Sequence, residues 1–297
     1  MQRAPVPVAP VASLPYLQLC LAFLGGLCAP FGLGILKEQI TPRVSSSNFV
    51  EQRTHLPVLG EITRLPTKNP KTASLGYREQ LTLRVFEESI DAMRTNLLLG
   101  AQGGSLRILC VTSAVNQEGK TSVAVQLAIS TARATRQQVL IIDGDLRAPG
   151  IHETFQFPLE PGLTDVLAGD CPLDAAIIAT GTEGVDALPA GLLQCNPYSL
   201  VTHERWEGFL KQIPAKYRYV IIDTPPVLAA SETLLLTRCA DAVLICAMRD
   251  VSRLAQLKKA TDRIVSTGSN VAGLVLSGVP TRNYVNRYGS YSYWSIG

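Results

Sequence analysis

Ser113-Ala114-Val115-Asn116-Gln117-Glu118-Gly119-Lys120-Thr121-Ser122 decides the fold; it lies between a short apolar run and the start of a helical pattern. Gly119, Lys120 and Thr121 give the second half of a G-x-x-x-x-G-K-[ST] phosphate loop unaltered, while the first glycine position holds Ala114. Gripping a triphosphate requires backbone N–H groups around the β-phosphate, a lysine reaching the β/γ oxygens, and a hydroxyl for Mg²⁺ at the helix start. A bare G-K-T triplet arises often by chance; a strand before it and a helix after it make it a phosphate loop. Gln117, Glu118, Gly119, Lys120, Thr121 and Ser122 are therefore the expected nucleotide-binding positions, with Thr121 also on the metal.

Outward from the loop, apolar runs at 107–111, 139–142, 185–188, 219–222, 242–246 and 271–276 alternate with helical stretches. Runs that are apolar on both faces and separated by helices are what buried parallel strands require. The sequence thus predicts a doubly wound α/β domain with a mostly parallel sheet over about 80–280. Two runs end in carboxylates: Leu140 to Arg147 (LIIDGDLR) carries Asp143 and Asp145, and Val220 to Pro226 (VIIDTPP) carries Asp223. Ligands of open α/β sheets sit beyond the carboxyl ends of the strands, so these three aspartates should converge on Lys120. Phosphoryl transfer uses that combination, with positive charge and Mg²⁺ on the phosphates and a carboxylate near the attacking oxygen. A strand-end aspartate also serves as a helix N-cap, the competing reading for any one of them alone; three beside a G-K-T favour the site.

Charged residues make up 17% of the 297-residue chain, against roughly 25% in an average soluble domain. The deficit is local: Ala4 to Leu36 contains no Asp, Glu, Lys or Arg. Its apolar part, 14–36, reaches the ~20 residues needed to cross ~30 Å of hydrocarbon, which predicts one transmembrane helix ahead of the domain. A cleaved signal peptide is the competing reading; Arg3 and the short interval before Leu14 suit it, whereas the long apolar run and Lys37 do not. Lys37, Arg43, Arg53 and Arg64 after the span, against Arg3 before it, orient the C-terminal part towards the cytoplasm. The expected organisation is a flank at 1–13, the span at 14–36, a linker at 37–78 rich in Pro, Thr and Ser, the α/β domain at 79–280 and a tail at 281–297. A helix is expected over about 79–99 within that domain. Tyr284, Tyr288, Tyr291 and Tyr293, four of the nine tyrosines, crowd into the tail among Ser, Asn and Gly, which reads as exposed.

A net charge of +3 does not argue for nucleic acid as a partner. Seven cysteines, an odd number without a C-x-x-C pair, indicate neither a disulfide framework nor a zinc site. His55, His152 and His203 are scattered and form no ligand motif.

The order of a Walker A loop, a D-x-D-x-R element at Asp143, Asp145 and Arg147, and a D-T-P-P element at Asp223 to Pro226 resembles the bacterial tyrosine kinases. These are autokinases of capsular and exopolysaccharide assembly, related to the deviant P-loop ATPases of the MinD type. The resemblance extends to Gly162 to Gly169 (GLTDVLAG), Leu188 to Gly191 (LPAG), Asn196-Pro197 and the tyrosine cluster, so it covers nearly the whole chain after the span. Leu56 to Ile62 (LPVLGEI) resembles the exit from the last span of polysaccharide chain-length regulators, to which such kinases are often fused.

The resemblance implies a membrane-tethered, ATP-dependent protein-tyrosine autokinase that regulates polysaccharide polymerisation or export. It implies ATP and Mg²⁺ as cofactors. Lys120 would hold the β/γ-phosphates and Thr121 the metal; Asp143 and Asp145 would assist the metal and polarise a tyrosine hydroxyl, and Asp223 would complete the metal's outer shell. Arg147 would lie in the nucleotide site, and Tyr284, Tyr288, Tyr291 and Tyr293 would accept phosphate from a neighbouring subunit. Implied partners are further copies in a ring, through the helix with Glu88 and Arg94, polysaccharide co-polymerase or export proteins, and a protein-tyrosine phosphatase. An extracytoplasmic domain and an earlier span would come from a separate chain or an upstream coding sequence.

Three departures accompany the resemblance. Asn116-Gln117 replace a Pro-Gly, and glycine takes φ > 0 cheaply where Gln does not. Asp91 replaces the middle arginine of an E-x-x-R-x-x-R helix, which reverses a charge, and Ser277 stands where an Asn near the base is common. The alternatives are an ATPase switch of the MinD/ParA type, with water as acceptor, and a non-catalytic nucleotide-binding subunit of the export complex.

Overall fold

The computed structural model describes residues 16–40, 42–65, 77–100 and 105–289. The chain divides into two units, Met1–Pro42 and Arg43–Gly297. The first contains α1 (Tyr16–Ile40), a helix of 25 residues with Pro30 inside it. Its described apolar side chains, Leu17, Leu19, Leu21, Phe23, Leu24 and Leu27, are each more than half exposed. At 100° per residue these six positions span an arc of about 200°, wider than the ~100° stripe of a surface helix. Among the described residues no helix is long and apolar enough to cross a membrane.

The second unit begins with α2 (Ser47–Thr54), β1 (Val58–Thr63) and α3 (Tyr77–Leu99). The phosphate-loop unit follows as β2 (Ile108–Ser113), α4 (Lys120–Thr135) and β3 (Gln138–Asp143). A more irregular stretch holds α5 (Ile151–Phe155), α6 (Leu163–Ala168), α7 (Leu173–Ala176), β4 (Ile178–Ala179), β5 (Val185–Leu188), α8 (Pro197–Leu200) and α9 (His203–Gln212). The chain closes with β6 (Tyr217–Asp223), α10 (Glu232–Arg238), β7 (Ala242–Met248), α11 (Leu254–Ser266), β8 (Val271–Val279) and α12 (Thr281–Tyr288).

Among the described residues eight strands form one sheet in the order β1-β8-β7-β2-β6-β3-β5-β4, with β4 alone of these antiparallel. The P-loop-like α/β fold with a mostly parallel sheet read from the sequence is therefore present. Alternation of side chains places Leu140, Ile142, Val220 and Ile222 in one apolar layer, and Val139, Ile141 and Ile221 in the other. This two-sided burial is why those runs are apolar throughout. The β3–β6 register sets Asp143 directly opposite Asp223, so strand pairing alone brings two of the expected site carboxylates side by side.

Two stretches differ from expectation. Within the stretch read as linker, 37–78, lie α2 and β1. β1 forms the sheet edge beside β8, and its outer polar groups are met by side chains: Val58 N–H donates to Glu51 Oε1 (2.7 Å), Asn96 Nδ2 to the Leu59 carbonyl (2.8 Å) and Thr63 N–H to Ser89 Oγ (3.3 Å). Such capping by α2 and α3 protects an edge from pairing with another chain. In the region read as an exposed tail, Thr281–Tyr288 form α12, and Tyr284 is only 7% exposed. Tyr291 and Tyr293 lie outside the described residues.

Candidate nucleotide and phosphoryl-transfer site

The loop from Ser113 to Gly119 leaves the carboxyl end of the central strand β2 and enters α4. Gly119 takes φ +83°, and a Cβ there would meet Ser277 Oγ at 3.2 Å. Gln117 adopts φ 67°, the left-handed backbone anticipated for a position usually held by glycine; for an L-residue it costs about 1–2 kcal/mol. Glu118 is 1% exposed and braces the loop internally. One of its carboxylate oxygens accepts the Val115 N–H at 2.8 Å and the other accepts the Ser252 hydroxyl. Ser277 is engaged with main chain, its hydroxyl 3.1 Å from both the Glu118 and Ala247 carbonyl oxygens. The D-T-P-P turn ties on from the other side: Val227 and Leu228 N–H donate to the carbonyls of Ser113 and Ala114 (2.9 and 3.2 Å).

Lys120, the first residue of α4, is 8% exposed and sits among the three aspartates. Its Nζ lies 2.7 Å from Asp145 Oδ2 and 3.6 Å from Asp223 Oδ1. The Thr121 hydroxyl donates to Asp223 Oδ2 at 2.6 Å. Asp143 carries out the N-cap role as well, for its Oδ2 accepts the N–H groups of Gly150 and Ile151, both at 3.0 Å, at the start of α5. Asp145 Oδ1 accepts the Ala148 N–H at 3.1 Å. The competing roles of these aspartates are thus combined: the same side chains order the following turn and face the lysine.

One buried cation against three buried carboxylates sets the electrostatics. Burial and the repulsion of its neighbours push Asp223 up to about 7, with Lys120 and Thr121 opposing the rise. Burial raises Asp143 to about 6 against the pull of its two amide bonds and Lys120. For Lys120, burial alone would lower the pKa, but Asp223, Asp145 and Asp143 outweigh it and hold the amine charged. Among the described residues no group of three or more His, Cys, Asp or Glu side chains is arranged to hold a metal ion. A phosphate-bound Mg²⁺ asks for less, one or two protein ligands completed by phosphates and water. The Thr121 hydroxyl and the buried Asp223 Oδ1, which has no hydrogen-bond partner, fit that requirement.

Beside the loop opens a cleft of about 620 Å³, bordered by Gly119, Ser122, Gln126, Met248, Arg249 and Ser277, within the size range of small-molecule sites. Three residues that sequence reasoning missed support the site. Buried Glu232 at the start of α10 pairs with Arg147 at 2.6 Å; the same guanidinium lies over the Tyr198 ring, 5.7 Å from its centroid. Ser252 braces Glu118. Glu232 carries a faint signal, an acid opening a helix shortly after the D-T-P-P element; Ser252 carries none. Of the four tyrosines expected as acceptors, Tyr284 and Tyr288 sit on α12 against α3 and β1, at the sheet edge. Arg94 and Asp91 are bonded within the chain, Arg94 to Asp91 (3.0 Å) and Ser130, and Asp91 also to Arg133 (3.0 Å), stitching α3 to α4. Glu88 is exposed.

A family model described as an AAA domain matches residues 107–270. The tyrosine-protein kinase ptk of Acinetobacter johnsonii is 26% identical over 281 residues, 92% of this chain but 38% of that protein. The chain thus spans well under half the length of that relative. The solved kinase domain of Escherichia coli tyrosine kinase ETK superposes with a TM-score of 0.70 at 29% identity, covering 80% of this chain and 94% of the other. MinD of Pyrococcus horikoshii, at 23% identity and a TM-score of 0.51 over 61% of this chain and 76% of the other, shares the fold. With its loop, paired strand-end carboxylates and sheet order, this chain belongs to the AAA-domain family of P-loop proteins and, within it, to the bacterial tyrosine kinases.

Proposed function

We propose that the chain is a membrane-tethered, ATP-dependent protein-tyrosine autokinase that phosphorylates its own C-terminal tyrosines and regulates exopolysaccharide or capsule polymerisation and export. The observation that carries this reading is the buried Lys120 amine held between Asp145 and Asp223 at the end of the phosphate loop. ATP binding replaces the lysine's bond to Asp145 with bonds to the β- and γ-phosphate oxygens, while loop N–H groups wrap the β-phosphate. The freed Asp145, with Asp143, then accepts a hydrogen bond from an incoming tyrosine hydroxyl. The phenolic oxygen bonds to the γ-phosphorus, the bond to the bridging oxygen breaks, ADP leaves with that electron pair, and the proton passes to a carboxylate. Thr121 and Asp223, assisted by Asp143 and Asp145, would hold Mg²⁺, which when bound neutralises phosphate charge. Gln117, Glu118, Gly119 and Ser122 shape the loop, and Arg147 borders it.

The charge-free sequence of 14–36 and the basic residues that follow it support a single span with the kinase unit cytoplasmic, at the bacterial inner membrane. Tyr284, Tyr288, Tyr291 and Tyr293 are the proposed acceptors. Other copies of the chain, meeting through α3, the helix that carries Glu88 and Arg94, polysaccharide co-polymerase or export proteins, and a protein-tyrosine phosphatase are the proposed partners, without nucleic acid. The left-handed backbone at Gln117 favours one second reading, a nucleotide-binding subunit without turnover. Incubation of the full chain with Mg²⁺-ATP separates the readings. Phosphotyrosine supports the autokinase, free phosphate without phosphotyrosine points to an ATPase switch, and bound nucleotide without either product points to the second reading.

A further inference from the structure

Helix α12 is docked by specific contacts although it carries two acceptor tyrosines. Tyr284 is 7% exposed and packs against Tyr288, with ring centroids 4.8 Å apart and ring planes tilted by 47°, whereas Tyr288 is 52% exposed. Arg287 fastens the helix by bonding the Glu61 carboxylate, 4% exposed on β1, and the Ser47 hydroxyl of α2 at 3.0 Å. Beside these contacts runs a groove of about 440 Å³ whose charged lining is Glu51, Glu61, Glu88 and Arg84. Counting Arg287, two guanidiniums face three carboxylates, so the neighbourhood of the Tyr284 hydroxyl is net negative before any phosphate arrives. Burial, Glu88, Tyr288 and Glu61 together push that phenol up to about 12, which marks the site as hostile to anions.

A tyrosine must present its oxygen in line with the γ-phosphorus, and one packed against α3 and β1 cannot do so. A phosphate would then add about −1.5 to −2 charges beside Glu61 and Glu88, which opposes return to the groove. We propose that α12 is a latch which orders acceptor use: Tyr288 is phosphorylated from the docked helix, Tyr284 only after the helix leaves the groove, and phosphate on Tyr284 then prevents redocking. The step is the one written above, from ATP to the phenol with release of ADP. The ordering rests on the autokinase reading, whereas the docking and its electrostatic release can be tested without it.

The test uses the full chain in two arms. In the first, a time course with Mg²⁺-ATP is resolved by phosphopeptide mass spectrometry for wild type, Arg287→Ala and Glu61→Gln. Tyr288 should be labelled first in wild type, and the rate of Tyr284 relative to Tyr288 should rise about tenfold in both variants, through easier local opening. Equal labelling of the two tyrosines in wild type, or a ratio unmoved by both variants, would overturn the latch. In the second, hydrogen–deuterium exchange follows the amides of 284–289 without ATP. Exchange should speed up about tenfold in Arg287→Ala and Tyr284→Glu but stay near wild type in Tyr284→Phe. If Tyr284→Glu exchanged like Tyr284→Phe, the electrostatic release would be wrong. If no phosphotyrosine formed at all, the kinase reading would fall while this second arm still decided the docking.

Discussion

Replacing Lys120 with Met should destabilise the protein even without nucleotide, and by an amount that depends on pH. Lys120 lies 2.7 Å from Asp145 and 3.6 Å from Asp223; at an effective dielectric of about 20, Coulomb's law gives gross attractions of about 6 and about 5 kcal/mol. The net loss is smaller, about 3–5 kcal/mol, because uncompensated carboxylates take up protons rather than stay charged. That uptake is itself the signature. Asp223 and Asp143 already titrate high, at about 7 and about 6, and without the lysine they rise further. A carboxylate whose native pKa is raised contributes stability below its unfolded value near 4 and loses it as pH rises through the native value. The variant's penalty should therefore grow by about 1–3 kcal/mol between pH 5 and pH 8, since each tenfold gain in a carboxylate's proton affinity is worth about 1.4 kcal/mol. Urea unfolding midpoints for wild type and Lys120→Met at both pH values, read at unchanged m, measure it. A penalty equal at both pH values, or none at all, would refute the buried charge cluster as the source of the lysine's stabilisation.

Other predictions concern the loop and the carboxylates. Gln117→Gly relieves a left-handed residue, so it should raise stability by up to about 1 kcal/mol after the entropy cost of glycine, while Gln117→Ala should not; equal unfolding midpoints for the two would show that φ 67° is not strained. Asp223→Asn should flatten the fall in wild-type stability between about pH 5 and pH 8, in the direction set by its raised pKa. A thermal-melt series in which the variant keeps the wild-type slope would place that titration elsewhere.

Legibility in the sequence followed the physics of each element. β2, β3, β6, β7 and β8 were readable because strands buried on both faces must be continuously apolar, and Asp143, Asp145 and Asp223 because ligand-binding residues gather at the carboxyl ends of such strands. β1 was not readable. Gly60 and Glu61 interrupt its apolar pattern; a Cβ on Gly60 would meet Met93 Cβ at 2.5 Å, and buried Glu61 is satisfied by Arg287 from the far end of the chain. Both features are tertiary, with no local trace. α12 was hidden for the same reason: Thr281–Tyr288 is polar in composition, and its docking depends on one tyrosine and one arginine meeting β1 and α3. Gln117 shows the reverse case, a mismatch visible in the sequence because the loop geometry tolerates few residues at that position. Glu232 and Ser252 brace Arg147 and Glu118 across gaps of 85 and 134 residues, a distance over which no local pattern reaches.

The most direct measurement of the central claim is a single-turnover transfer from γ-labelled ATP with Mg²⁺, comparing the full wild-type chain with its Lys120→Met and Asp145→Asn variants. The account predicts label on tyrosine in the wild type, and loss by about two orders of magnitude or more in both variants. Label on tyrosine at wild-type rate in Lys120→Met, or label released only as free phosphate in the wild type, would contradict it.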